Sequence, residues 1–206
     1  MPGQGYHWLV TGAARATTRD IARAAVRAEL AEVALDLFCR EGFDNVTTQD
    51  LAAAAGVSRS TFLRYFGSKE DVVLSAVDAR GDRVADALRA RPADEDDWTA
   101  IRHALDTVIE IYRQDPATAL TMTRLITGTP ALWARQMEKQ HAWAPLLAEA
   151  LAARAAPPRP TTLALQVRAA AALLCLNTAL AHWTASDGQL DLVALLDEAF
   201  AALAPQ

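Results

Sequence analysis

The chain of 206 residues holds few of the residues that punctuate or cross-link a fold: two cysteines, nine glycines and nine prolines. Cys39 and Cys175 lie far apart and no C-x-x-C pair occurs, which excludes a disulfide scaffold and a thiolate zinc site. A reduced, intracellular, cytoplasmic setting is the simple expectation. Either thiol is expected to be inert rather than a redox switch. The four histidines, at positions 7, 103, 141 and 182, show no metal-ligand spacing, so no metal is expected. G-x-S-x-G, H-E-x-x-H, a phosphate-binding G-x-x-x-x-G-K-[ST] and a G-x-G-x-x-G after a strand are also missing. A helical hydrolase or transferase therefore fails on inventory, and no cofactor is expected. Neither a repeat nor a convincing strand is found. Leu9 and Val10 make no apolar core for a secretory signal.

Alanine is abundant instead, with 46 residues, and with the scarcity of breakers it points to an all-α protein. The net charge of −5 comes from 20 basic and 25 acidic residues and is unevenly placed. Leu51–Lys69 contains no acid and three bases, Arg59, Arg64 and Lys69. A small basic face on an acidic body suits binding of DNA at one end. Ala169–Ser186 runs 18 residues without a formal charge. Asn177, Thr178, His182, Thr184 and Ser186 interrupt it, so a helix covered by a partner subunit is expected rather than a membrane span.

Periodicity and caps predict roughly nine helices. Residues 1–18 are read as a flexible tail; Arg15, Arg19, Arg23 and Arg27 there and just beyond either touch phosphates or form a solvated face. A helix over Arg19–Glu41 carries Val26, Leu30, Val33 and Leu37 on one face, and Gly42 stops it. Thr47 and Asp50 form a capping box for a helix over 48–55. Gly56 turns the chain, Ser58 opens a helix to about Phe66, and Ser68 opens a longer one to about Ala90. Ile101, Leu105, Val108 and Tyr112 mark a seam in the next helix. Asp115-Pro116 and Thr129-Pro130 start two more. The prolines of 155–160 make a loop or hinge, followed by a helix over Thr161–Ser186, a turn at Asp187-Gly188 and a last helix over Leu192–Leu203.

Residues 48–66 have the layout of a helix-turn-helix. Ala52 lets two short helices cross closely, Gly56 supplies the turn, and Val57 and Phe62 plug the small core. The second helix then presents Arg59, Ser60, Thr61, Leu63 and Tyr65, with Thr48 and Gln49 at the start of the first. An α-helix fits the major groove; Arg59 is the candidate base reader, and Tyr65 and Lys69 are candidate phosphate contacts. Any small helical hairpin shares part of this pattern. The wording goes further: Leu35–Phe43, Thr47–Ala52 and Ala55–Glu70 together resemble the DNA-binding domain of the TetR family of bacterial transcriptional regulators. The family pattern usually has Tyr where this chain has Leu63, so the operator sequence is not carried over.

The resemblance implies DNA binding by residues 19–67, with residues 68–206 forming a ligand-binding and dimerisation domain. It also implies a homodimer closed by the last two long helices in a four-helix bundle. Leu176, Leu180, Leu195 and Leu196 are the expected interface anchors. Arg124–Ile126, Thr129–Leu132, Glu138, Trp143 and Leu195–Phe200 resemble the mycofactocin-regulator type of C-terminal domain, some members of which sense acyl-coenzyme A-like molecules. Candidate pocket residues are Tyr112, Met122, Leu125, Trp133, Met137, His141, Asn177 and Trp183. Trp133, Met137 and His141, four apart, form either a pocket wall or a core stripe. Asn177 either pairs across the dimer axis or meets a ligand, and Arg124 faces either an acidic head group or solvent. The expected partners are duplex operator DNA, a second copy and a small, mostly apolar effector that releases a repressor. Alternatives of the same fold are an activator and an effector-independent DNA-binding protein.

Overall fold

The computed structural model describes residues 17–75, 80–154 and 160–203. The expected tail, apart from its last two residues, the middle of the expected helix 68–90 and most of the expected 155–160 loop lie outside the described residues. Within them the fold is all α, with no strand. The first half comprises α1 (Thr18–Glu41), a 3-10 turn (Phe43–Asn45), α2 (Thr48–Ala54), α3 (Arg59–Tyr65), α4 (Lys69–Leu74), α5 (Arg80–Arg89) and α6 (Asp97–Ala104). The second comprises α7 (Asp106–Gln114), α8 (Pro116–Gly128), α9 (Pro130–His141), α10 (Trp143–Arg154), α11 (Thr162–Ala185) and α12 (Leu192–Ala201).

Twelve helices among the described residues stand against the expected nine: two expected helices divide, and the expected helix 68–90 is described as two stretches, α4 and α5, on either side of residues outside the described ones. At Leu105 the amide is shared between the carbonyls of Ile101 and Arg102, and Val108 N–H bonds Leu105 only three residues back. This tightened turn separates α6 from α7, yet Ile101, Leu105 and Val108 all remain buried. The second division falls at Ala142, between α9 and α10. The inward face of α1 also differs from the expected one. Leu30, Ala34, Leu37 and Phe38 are buried, whereas Val26 is exposed and Val33 half-buried. Phe38 draws the seam towards itself by meeting the Phe43 ring at a centroid distance of 4.9 Å.

Two cores result. One joins α1 to α4 through Leu30, Phe38, Leu51, Phe62, Phe66 and Val72, and it also takes in Leu132 from α9. The other fills the space among α5, α6, α7, α10, α11 and α12. Here α10 packs against both α5 and α11, and α11 against α12. Gly81 is the small residue that lets α5 approach α10, since a Cβ there would lie 2.5 Å from the Trp143 ring. By contrast α8 has no buried residue. α11 is long and apolar enough to cross a membrane, but its inner side, with Leu165, Ala169, Leu176 and Trp183, belongs to the second core.

The candidate DNA-reading helix and the cavity behind it

Local chemistry fixes the reading helix. Thr47 Oγ1 accepts the Asp50 amide and Asp50 Oδ2 accepts the Thr47 amide at 2.9 Å, completing the capping box of α2. The side-chain and backbone hydrogen bonds from Thr47 hold the Asp50 carboxyl below its ordinary range. Gly56 has φ +68° with open space where a Cβ would stand, so backbone conformation rather than crowding calls for glycine. Ala52 and Phe62 are fully buried at the crossing of α2 and α3, Val57 is half-buried, and Phe66 completes the plug at 5.3 Å from Phe62.

Arg59, Ser60 and Gln49 are exposed, and Arg59 Nε donates to Thr48 Oγ1 at 3.2 Å. Arg59, Thr48 and Leu63 line one shallow groove. Thr61 is turned towards the helix start: its amide donates to Ser58 Oγ, whose hydroxyl donates to Thr61 Oγ1. That cap takes Thr61 out of the outward row. Tyr65 is half-buried against the first core, with the Arg64 guanidinium over its ring. Lys69 lines the same groove but is also engaged within the chain. Its Nζ donates to the carbonyls of Phe43 and Val46 at 2.9 and 3.2 Å and sits 4.3 Å from the Phe43 ring centroid. Two of its three donors therefore brace the 3-10 turn, because the start of α4 folds back over those carbonyls.

Behind this unit lies a cavity of about 370 Å³. Tyr112, Met122, Trp133 and Asn177 line it as expected. Leu125, Met137, His141 and Trp183 do not. Leu125 packs on the first core, His141 is exposed, and Trp183 is buried behind Tyr112, edge-on at 5.4 Å. The face of α9 explains the miss. Its inward stripe is Leu132, Gln136 and Gln140. The Trp133–Met137–His141 stripe is rotated from it by one residue, about 100°, so only Trp133, at the edge, reaches the cavity. Gln136 and Gln140, only 9% and 5% exposed, were missed although their spacing in register with Leu132 was readable. The Oε1 of each is buried with no hydrogen-bond partner among the described residues. Arg124 faces solvent and pairs with Asp187. Leu35 of α1 and Val73 of α4 extend the cavity wall into the first core.

The expected interface anchors also need correcting. Leu176, Leu180 and Leu196 are buried inside one chain, Leu180 lines the cavity, and Leu195 is half-buried. They pack inward because α11 meets α10 on one side and α12 on the other. The uncovered apolar side of α11 carries Leu163, Val167 and Leu174, which are 70%, 58% and 61% exposed. Cys175 is buried, and burial pushes its thiol pKa up, as befits an unreactive side chain.

Comparison with known proteins places these features in a family. Residues 30–76 match the model of bacterial regulatory proteins of the tetR family, and residues 95–206 match that of the MftR C-terminal domain. The chain is 34% identical over 134 residues to the HTH-type transcriptional regulator TcmR of Streptomyces glaucescens, covering 62% of this chain and 59% of TcmR. It is 36% identical over 104 residues to the HTH-type transcriptional regulator EthR of Mycolicibacterium smegmatis, covering 47% of each. The matches thus span about half to three-fifths of these relatives' lengths. Among solved structures, FadR of Thermus thermophilus, a TetR-family repressor in complex with lauroyl-CoA, superposes with a TM-score of 0.55 at 23% identity, over 86% of this chain and 92% of FadR. NalD of Pseudomonas aeruginosa, the secondary repressor of the MexAB-OprM efflux pump, gives 0.59 at 16% identity, over 88% and 96%. This chain belongs to the TetR family of bacterial regulatory proteins, with a C-terminal domain of the MftR type.

Proposed function

We propose that the chain acts in the bacterial cytoplasm as a homodimeric repressor, released from its DNA operator by a small, mostly apolar effector. In this reading residues 19–67 hold the DNA and residues 68–206 hold the effector and the partner subunit. The observation that carries it is the reach of the cavity: Leu35 and Val73 belong both to its wall and to the core that supports α3. Two copies of α3 enter successive major grooves when they stand about 34–36 Å apart. An effector that fits only one setting of α4 and α9 shifts the population away from that spacing, and it acts only through its differential affinity. The uncovered side of α11, with Leu163, Val167 and Leu174, is the surface that meets the second copy.

Selection of duplexes from a random-sequence pool tests this. The expected product is a palindrome with half-sites about one helical turn apart, and a lauroyl compound added to the selected duplex should lower its retardation on a gel. Failure to enrich any sequence would overturn the DNA-binding reading. An enriched palindrome indifferent to apolar ligands would leave the DNA reading and remove the apolar effector.

A further inference from the structure

We infer that the cavity takes a compact, mostly apolar molecule carrying two hydrogen-bond donors, which are received by the side-chain carbonyls of Gln136 and Gln140. The inference rests on reading the cavity as the effector site and names the chemistry it selects. Buried polar groups in folded proteins nearly always have partners, because an unmet acceptor loses its hydration without replacement. Here two such acceptors occur side by side, at least nine-tenths buried, both on the cavity wall. They are four residues apart on α9, hence about 6 Å apart along its axis and on one face.

Around them the wall is largely apolar, with Leu35, Val73, Tyr112, Met122 and Trp133. Arg80 and Asp115 contribute one charge of each sign to it, so no net ligand charge is selected. A bare hydrocarbon chain would fill the volume yet leave both acceptors unmet. A ligand with two hydroxyl or N–H groups along one edge meets both. The grip also falls on the right element, because α9 carries Leu132 into the core beneath α3 one turn before Gln136.

The full chain is to be titrated by calorimetry with olivetol, a resorcinol bearing a pentyl group, and with its dimethyl ether. The ether keeps the outline and both oxygens but has no O–H. Olivetol is expected to bind about ten-fold or more tightly than the ether. In the double variant Gln136→Met, Gln140→Met, which keeps side-chain length without the amides, the preference should vanish. The ligand-free variant should also melt higher than the wild type, because the unmet acceptors are gone. Equal binding of the two compounds to the wild type, no binding of olivetol, or a lower melting point for the variant would each overturn the assignment. Olivetol that binds through its hydroxyls but leaves DNA retardation unchanged would sustain the assignment and reject the cavity as the effector site.

Discussion

Arg59 and Lys69 are both bases near the reading helix, and their surroundings give them different work. Arg59 is exposed and, among the described residues, tied only to Thr48. Arg59→Ala is expected to weaken operator binding by about 1–3 kcal/mol and to relax preference at one base pair, as titration against a panel of single-base operator variants will show. Lys69→Ala should instead lower the melting temperature, since it frees two carbonyls and removes a cation from the Phe43 ring. If that variant melts like the wild type and loses about one unit of salt slope, the lysine serves phosphate after all. The residue types of the reading helix were legible in the sequence. The engagement of Lys69 was not, because it depends on a fold-back from α4 to the 3-10 turn that no local spacing encodes. Glu95, by contrast, is held by near neighbours in the chain: Arg91 donates to it at 2.6 and 2.7 Å, and His103 lies at 2.6 Å. The Arg91 hydrogen bonds, chiefly, hold its carboxyl at about 2, against an ordinary 4.5. The folded-state pKa is depressed, so this contribution is complete above the ordinary value and lost as pH falls through about 2. Glu95→Gln should flatten the acid side of a urea-midpoint profile in that window; an unchanged slope would show that other carboxylates dominate.

The helix starts were the most readable elements. Thr47, Ser58, Ser68, Asp115 and Thr161 each accept an amide from the first turn, as their positions in the sequence suggested. The divisions at Leu105 and Ala142 were not read, because neither site has the glycine or proline that usually announces a break. Pro145 in the first turn of α10 was the one available signal. The face of α9 was misread because tryptophan and methionine attract a core assignment, whereas the inward positions belong to two glutamines. Contact between α5 and α10 hinges on Gly81, which lies in an ordinary helical stretch and needs to be small rather than flexible. Gly81→Ala drives a methyl into the Trp143 ring and should cost about 1–3 kcal/mol by overpacking, read from denaturant midpoints. A neutral result would mean that α10 shifts aside without penalty.

At the scale of the whole molecule, the sequence suggested that α11 has more apolar surface than one chain needs, but three of the four leucines it pointed to, Leu176, Leu180 and Leu196, are buried within the chain. Leu176 and Leu180 satisfy α10, α12 and the cavity, and the outer row of Leu163, Val167 and Leu174 is left uncovered. Leu174→Glu should therefore fold normally and sediment as a monomer with DNA binding lost, whereas Leu180→Glu should fail to fold because it buries an unpaired charge. A Leu174→Glu protein that remains dimeric would move the interface elsewhere. The cavity itself is enclosed unequally. α9 and α11 anchor it in the two cores, while α8 supplies Met122, Thr123 and Ile126 to its wall without burying a single residue of its own. Local opening is cheapest where the least apolar surface must be exposed. Movement of α8, whose apolar residues are only partly buried against the cores, is therefore the least costly way for a molecule to enter and leave, and the α8 amides should exchange with solvent deuterium faster than those of α9 or α11. On the proposed reading, the speed at which the protein follows a changing ligand supply would then be set by one loosely held helix rather than by the stability of the whole fold.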